Sequence, residues 1–88
     1  MPNSIPYEYS LSDNAFMAIS ACDDDNTRRI ILALESLARD PSRRGIYVGA
    51  DYKGRIIPWL EVGEFLVGYL VDHRGKHIHI GEVRRIEN

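Results

Sequence analysis

The sequence is short of cysteine, of long apolar runs and of low-complexity segments. Because Cys22 is the only cysteine, no disulfide can form within the chain, and a reducing compartment is expected. The first residues have neither the basic start nor the apolar core of a signal peptide. No apolar stretch approaches the ~20 residues that a membrane-spanning helix needs. These absences predict a soluble cytoplasmic protein that does not enter a membrane.

The chain is small, and its charge is unevenly distributed. Its 88 residues predict a single domain over 1–88. A domain of this size buries only ~60% of its unfolded surface, so a protein partner or a homodimer would add stability. The net charge is −2, yet residues 1–27 hold five of the 13 acidic residues and no Lys or Arg. Residues 28–88 therefore carry 11 basic and eight acidic residues, a net +3, which is compatible with one basic face.

One stretch near the C-terminus predicts the centre of a β-sheet. Residues 65–71 are apolar on both faces of an extended strand, and such a strand is usually buried on both sides. Gly63 precedes it in a tight turn, because glycine tolerates the positive φ that hairpin turns require. We expect this strand in mid-sheet, where the other elements cover or extend it.

Two helices are predicted before the sheet. The first follows good capping residues and covers 12–21. The second covers 26–39 and has one apolar stripe along its length. The aspartates at 23–25 favour its N-terminus through the helix dipole, and Asp40-Pro41 ends it.

The remaining periodicity predicts four strands, at 5–11, 55–62, 65–71 and 76–84. Pro58 predicts a bulge or an unpaired amide within the second of them. Residues 42–54 are interpreted as a polar connection. The order β-α-α-β-β-β predicts an α+β fold in which two N-terminal helices pack on one face of a small antiparallel sheet.

Two histidines and a carboxylate near the C-terminus are a candidate metal or acid–base group. His77 and His79 lie on one strand face close to Glu82, and imidazoles can bind zinc or transfer protons. No other His or Cys stands at a ligand spacing, and structural zinc sites use four protein ligands. We therefore predict no metal and no cofactor, and a solvated strand face is the simpler interpretation.

Basic residues form a second candidate group, which is suited to phosphate binding. Its main members are Lys53, Arg55, Arg84 and Arg85, and its weaker members are Arg43, Arg44, His77 and His79. These residues lie in loops and at strand ends, which can come together on one side of a sheet. The sequence supports a basic binding site and a rim of solvated charge about equally. The sequence contains no glycine-rich phosphate loop and no Ser/His/Asp set of recognisable spacing.

Several short motifs are present along the chain: Leu11-Ser12, the helix end Leu37-Ala38-Arg39-Asp40-Pro41, the run Val62-Gly63-Glu64-Phe65 with Val67-Gly68-Tyr69 and Val71-Asp72, and the final Ile80 to Arg85. Together they resemble the RelE/ParE toxin superfamily of bacterial toxin–antitoxin systems. The likeness covers nearly the whole chain in element order and length. It implies a compact α+β toxin that is neutralised by a wrapping antitoxin peptide and acts on ribosome-bound mRNA or on DNA gyrase.

The chain departs from the nuclease members of that superfamily where they bind phosphate. Those members resemble L-R-V-G-D-Y-R-V-x-Y, in which both arginines hold the RNA phosphate, whereas this chain has Glu61 and Leu66 at those positions. An anion in place of a cation repels a phosphate. Nuclease members also often end in a catalytic Tyr or His, while this chain stops at Ile86-Glu87-Asn88. The resemblance thus implies mRNA endoribonuclease activity that is weakened or lost, with no catalytic residue assigned.

Two functional hypotheses remain from the sequence. The first is a toxin that blocks translation or replication through RNA or target binding at the main basic residues. The second is a non-catalytic protein-interaction module on the same scaffold. The second hypothesis predicts an exposed apolar patch around Tyr52, Ile57 and Trp59 and no shared basic surface.

Overall fold

The computed structural model, which describes residues 5–43 and 47–86, contains two helices and five strands. They are β1 (Glu8–Leu11), α1 (Asp13–Ser20), α2 (Asp24–Arg39), β2 (Tyr47–Ala50), β3 (Ile56–Val62), β4 (Phe65–Asp72) and β5 (His77–Arg85). The predicted α+β class, with its helices before most of its strands, is confirmed. β2 is an additional strand within the segment interpreted as a connection. β2 has only four residues, and one of them is Gly49, so it shows no clear alternation of polar and apolar side chains.

The five strands form one sheet in the order β1-β5-β4-β3-β2, with β4 in the middle as predicted. Three neighbouring pairs are antiparallel, but β1 pairs with β5 in parallel, so the sheet is mixed. A parallel pair needs a long crossover, which the helices and β2–β4 provide between β1 and β5. The β4–β5 pair has a shift in its register, or β-bulge, at Gly68/Tyr69. The bulge that was predicted at Pro58 is absent, because Pro58 pairs with Val48 in regular register.

Both helices begin at side-chain caps. The hydroxyl of Ser12 accepts a hydrogen bond from the Ala15 amide at 3.0 Å, and Oδ1 of Asp23 accepts one from the Asn26 amide at 2.8 Å. The two aspartates that follow Asp23 lie in the first turn of α2, where the helix dipole favours carboxylates. The capping interpretation of the three aspartates is therefore confirmed. None of the helices in the described ranges is long and apolar enough to cross a membrane.

The helices cover one face of the sheet and bury the main core against it. This helix-side core contains Ala15, Ile19, Ile30, Leu34, Leu37, Ala38, Leu60, Phe65, Val67, Tyr69, Ile78, Ile80 and Val83. Burying these side chains is the main stabilising contribution to a fold of this size. We call the opposite side of the sheet the open face. β4 was predicted to be buried on both sides, and on the open face this holds at Gly68. Leu70 on that face is 39% exposed, because neither of the two helices in the described ranges covers it.

Candidate functional site

A loop between β2 and β3, residues 51–55, folds back over the open face and is held together by Asp51. Oδ1 of Asp51 accepts hydrogen bonds from the backbone amides of Lys53 at 2.9 Å and Arg55 at 2.8 Å. Oδ2 accepts a third from Nε of Arg55 at 2.8 Å. Burial raises the pKa of Asp51, but these hydrogen bonds outweigh it and hold the pKa below its ordinary value. We call residues 51–55 the Asp51 loop.

Glu82 joins the Asp51 loop to β5. Its Oε1 accepts a hydrogen bond from the Tyr52 amide at 3.0 Å, and its Oε2 accepts two from Nε and Nη2 of Arg84, at 2.8 and 2.6 Å. Because β4 lies between β3 and β5, the loop crosses the middle of the sheet to make this contact. Glu82 faces outward from the sheet as expected, yet it is only 8% exposed because the loop covers it. The sequence carries no local signal for this contact, since the partners are 30 residues apart.

Arg84 also packs on the indole of Trp59. Its guanidinium carbon lies 4.7 Å from the ring centre, which is cation–π geometry. Nε1 of Trp59 donates a hydrogen bond to the carbonyl of Gly49 at 3.1 Å, and the nearly parallel ring of Tyr47 lies 6.4 Å away. Gly68 makes room for this arrangement, because a Cβ there would lie 3.1 Å from two carbons of the indole.

These contacts remove the apolar patch that the interaction-module hypothesis predicts around Trp59. Trp59 is 1% exposed and Ile57 is 3% exposed, so both lie buried under the side chains and the loop of the open face. Tyr52 is exposed, as are Val48 and Ile56 nearby on the β2–β3 hairpin. Exposed apolar side chains are thus present on the hairpin, at the edge of the sheet, while Trp59 and Ile57 themselves are covered.

The two positions that depart from the nuclease pattern lie in one row with Arg84. Across neighbouring strands, Glu61 pairs with Leu66, and Leu66 pairs with Arg84. All three belong to the open face, because their strand neighbours Leu60, Val67 and Val83 belong to the helix-side core. The row thus holds one anion, one apolar residue and one cation where the resemblance places further cations.

The main basic candidates are divided between the two faces of the sheet. Lys53, Arg55 and Arg84 lie on or beside the open face. The guanidinium carbon of Arg85 lies 4.9 Å from the ring centre of Phe65, which belongs to the helix-side core, and its Nη1 lies 3.4 Å from Oε2 of Glu64. The structure therefore brings together three of the four main candidates and leaves Arg85 on the other side.

Lys53, Arg55 and Arg84, together with the carboxylates around them, form what we call the open-face site, and its formal charges cancel. The three cations face three carboxylates, Asp51, Glu61 and Glu82. The side chains of Arg55 and Arg84 are 51% and 46% exposed, whereas those of their ion-pair partners Asp51 and Glu82 are 3% and 10% exposed. Lys53 has no carboxylate within 4 Å among residues 5–43 and 47–86. An approaching anion therefore meets the N–H groups of Arg55 and Arg84 before the buried carboxylates of Asp51 and Glu82, whereas the exposed Glu61 repels it directly.

The weaker candidates lie away from this site. Nη1 of Arg43 donates a hydrogen bond to the hydroxyl of Ser36 at 3.3 Å, beside a groove of about 550 Å³ on the helix side of the sheet. Arg44 falls outside the described residues. His77 and His79 are on the open face but at the opposite end of β5 from Arg84, where both contact the hydroxyl of Ser10.

Two further kinds of site were considered in the described ranges: a metal site and a reactive thiol at Cys22. No three His, Cys, Asp or Glu side chains come together there as metal ligands. Burial raises the pKa of the Cys22 thiol, Arg85 lowers it, and Asp23 raises it further, with a net upward shift. A raised pKa leaves the thiol protonated and a poor nucleophile at neutral pH.

Comparison with known proteins gives structural matches alone. No family model matches the chain, and no curated protein matches its sequence. A chain of the archaeal RelE–RelB complex from Pyrococcus horikoshii OT3 is similar with a TM-score of 0.74 at 17% identity, over 92% of this chain and 96% of that one. A chain of the toxin–antitoxin complex RelBE2 from Mycobacterium tuberculosis is similar with a TM-score of 0.73 at 17% identity, over 92% and 99%. The chain therefore has a RelE-like fold, as the sequence motifs predict.

Proposed function

We propose that this chain is the toxin of a bacterial toxin–antitoxin pair and that it arrests growth by binding mRNA during translation. The fold supports the proposal, because it is similar over 92% of the chain to chains from two toxin–antitoxin complexes. The position of Arg84 carries the choice of mRNA. Its guanidinium is half exposed on the open face, in the row where the superfamily's nuclease members place phosphate-binding arginines.

The electrostatics of the site support binding with weak cleavage. Lys53, Arg55 and Arg84 offer N–H donors at the surface, and such donors bind phosphate oxygens. Glu61 stands in the same row as Arg84 and repels phosphate, so the site holds RNA less tightly than a row of arginines would. Cleavage of mRNA at this end of the open face is accordingly slow or absent.

The proposed antitoxin covers exposed apolar surface on the β2–β3 hairpin. Val48 is 65% exposed, Tyr52 58% and Ile56 67%, and β2 is an edge strand with unpaired backbone groups on its outer side. An edge of this kind is a template for an added strand or a covering peptide. A covering peptide would also lie close to the Asp51 loop and block access to its cations.

The decisive experiment is induction of the chain in a bacterial host while protein synthesis and DNA synthesis are followed by pulse labelling. We expect growth to stop, with protein synthesis falling first, and co-expression of the neighbouring gene's antitoxin to restore growth. Arg84→Ala should relieve the arrest, whereas Arg85→Ala, a matched change on the other face, should leave it intact. If DNA synthesis stops first, gyrase is the target. Folded protein without any arrest would exclude the toxin function.

A second candidate function is a non-catalytic interaction module on the same scaffold. The balance of three cations and three carboxylates on the open face favours it, because such a site attracts nucleic acid weakly. Under this alternative the exposed β2–β3 hairpin is the working surface. A chain that forms a stable complex in the host through the hairpin, without slowing growth, would support the module over the toxin.

A further inference from the structure

β2 lies at one edge of the sheet, and its unpaired backbone groups can be assigned to particular residues. Val48 pairs with Pro58 of β3, and proline has no N–H to donate. That pair cannot exchange hydrogen bonds, so the amide and the carbonyl of Val48 point away from β3, toward the outside of the sheet. Alternation gives the same direction to the backbone groups of Ala50, two residues further along. The outer edge of β2 therefore offers both residues for pairing with another strand.

The two edges of the sheet differ in their protection against further pairing. At the other edge, β1 carries the charge of Glu8 and follows Pro6, and the amide of Tyr7 donates a hydrogen bond to the carbonyl of Ala38 at 2.8 Å. Charges, prolines and covering segments are the features that stop an edge strand from adding another strand. The four residues of β2 include neither a charge nor a proline. The Asp51 loop leaves this edge uncovered, because it folds back over the sheet toward β5.

The outer edge of β2 is complementary to itself. An antiparallel second copy, with the two-fold axis at Gly49, places Val48 of each chain opposite Ala50 of the other, and both pairs can exchange hydrogen bonds. Gly49 then faces Gly49 of the second copy in a pair without hydrogen bonds, where the two Cα atoms come to about 4.5 Å. Glycine suits this position, because a Cβ there would lie 3.1 Å from Cε2 of Tyr47.

Apolar side chains lie along the same contact, on the helix side of the sheet. Val48 and Ile56 are 65% and 67% exposed. Val48 pairs with Pro58, and Ala50 pairs with Ile56. Across the axis, the row therefore runs from Pro58 and Val48 of one chain to Ala50 and Ile56 of the other. No charge stands in this row, so two copies meet there without like-charge repulsion.

The segment 47–56 concentrates the apolar surface that a small dimer interface needs. Four of the nine large apolar residues that are exposed in the described ranges lie within it: Tyr47, Val48, Tyr52 and Ile56. A specific interface covers about 10% of the surface of a small protein, which is about 600 Å² of the 6082 Å² here. An interface of that area is at the lower end of the specific range, so we expect a dimer that forms at micromolar concentration.

We propose that two copies of the free chain associate through β2, which pairs antiparallel with β2 of the second copy about Gly49 and joins two five-stranded sheets into one. The dimer depends on the backbone geometry of β2 and does not need the toxin function. Under the proposed function it is the form of the chain without antitoxin, because the antitoxin covers the same hairpin. Arg84 lies on β5, three strands away from β2, so the dimer leaves its guanidinium exposed.

The first test is analytical ultracentrifugation of the purified full-length chain over a concentration series, with no other protein present. We expect the mass to rise from that of one chain to that of two. Val48→Lys puts a charge on the edge and should raise the dissociation constant at least about tenfold. Leu32→Lys is the matched control, because Leu32 is 58% exposed on α2 and the change in charge is the same. A chain that stays monomeric throughout would overturn the proposal, as would equal weakening by both variants.

Disulfide cross-linking tests the position of the axis. In a Cys22→Ser background, Gly49→Cys places two thiols opposite each other, with Cα atoms about 4.5 Å apart, which a disulfide can span. Val48→Cys is the control, because the two Val48 positions are diagonal neighbours about 7–8 Å apart, beyond the ordinary disulfide range. Mild oxidation should link Gly49→Cys chains into dimers and leave Val48→Cys chains single. The reverse pattern would overturn pairing about Gly49.

The growth assay separates the dimer from the toxin function. A chain that dimerises as described without arresting growth would support the interface and exclude the toxin. A chain that arrests growth and is monomeric at every concentration would overturn the interface and leave the toxin intact. Melting temperatures of all variants show whether a lost dimer reflects a lost fold.

Discussion

Replacing Glu82 with Gln should destabilise the fold and at the same time strengthen RNA binding. The carboxylate accepts one hydrogen bond from the Tyr52 amide and two from Arg84. The Gln oxygen can keep the first, but its NH₂ group must face the guanidinium and loses the other two. Hydrogen bonds to charged groups contribute about 1.5–3 kcal/mol each. Because Arg84 is 46% exposed, water recovers part of that loss, and we expect about 1–2 kcal/mol in the free energy of unfolding.

The gain in binding follows from the charge that Glu82 no longer cancels. The open-face site changes from neutral to a net charge of about +1, which corresponds to roughly one additional phosphate contact. For single-stranded nucleic acid, each phosphate contact makes the slope of log K against log salt concentration steeper by about 0.7. At 0.1 M salt this corresponds to an affinity about fivefold higher. Fluorescence anisotropy with a labelled single-stranded RNA over a salt series measures both values, and urea denaturation measures the stability.

Glu64→Gln is the matched control, because its ion pair with Arg85 is exposed and lies on the helix side of the sheet. We expect that variant to change neither stability nor the salt slope by a measurable amount. The reasoning would be refuted if Glu82→Gln bound RNA with the slope and affinity of the wild type. It would also be refuted if Glu64→Gln gave the same gain, because binding would then follow net charge and not the position of Arg84.

Three further changes test other parts of the structure. Gly68→Ala should lower the free energy of unfolding by about 1–3 kcal/mol in urea denaturation, because its Cβ would lie 2.7 Å from a methyl of Ile57 and 3.1 Å from the indole of Trp59. Gly81→Ala is the control and should be tolerated, because the nearest atom to its Cβ would be 4.0 Å away. Because the pKa of Asp51 is depressed, its contribution to stability is present above the unfolded value of about 3.8 and is lost as pH falls through the lower folded pKa. Asp51→Asn should therefore lower the melting temperature at pH 7, and the difference from the wild type should shrink as pH falls below 3.8. Glu61→Arg combined with Leu66→Arg should tighten RNA binding and deepen growth arrest, and unchanged binding by the folded double variant would show that this row does not contact RNA.

Local patterns in the sequence predicted the elements that bury a regular stripe. The apolar stripe of α2 extends over more than two helical turns, and the apolar faces of β4 extend over more than two alternations. Periodicity therefore identified both elements to within a few residues of their ends. β2 escaped prediction because it is four residues long and includes a glycine. The parallel pairing of β1 escaped because strand direction depends on the path of the whole chain and leaves no mark on β1 itself.

The candidate site was predictable in its residue types and less so in its arrangement. Sequence reasoning selected Lys53, Arg55 and Arg84, which the fold brings to one face. It also selected Arg85, which strand alternation turns to the opposite face from Arg84. The role of Glu82 was missed, because a hydrogen bond between residues 30 positions apart depends on the folded path of the Asp51 loop.

The parallel pair of β1 and β5 has a consequence for synthesis of the chain. Of the described strands, β1 leaves the ribosome first, yet its neighbour in the sheet, β5, leaves last. Until residues 77–85 emerge from the exit tunnel, β1 has no strand to pair with, and the pairing site of Ser10 with the histidines does not exist. We expect nascent chains that end before His77 to be readily cut by protease at β1, while full-length chains resist. The described sheet is therefore completed only when all of β5 has left the exit tunnel.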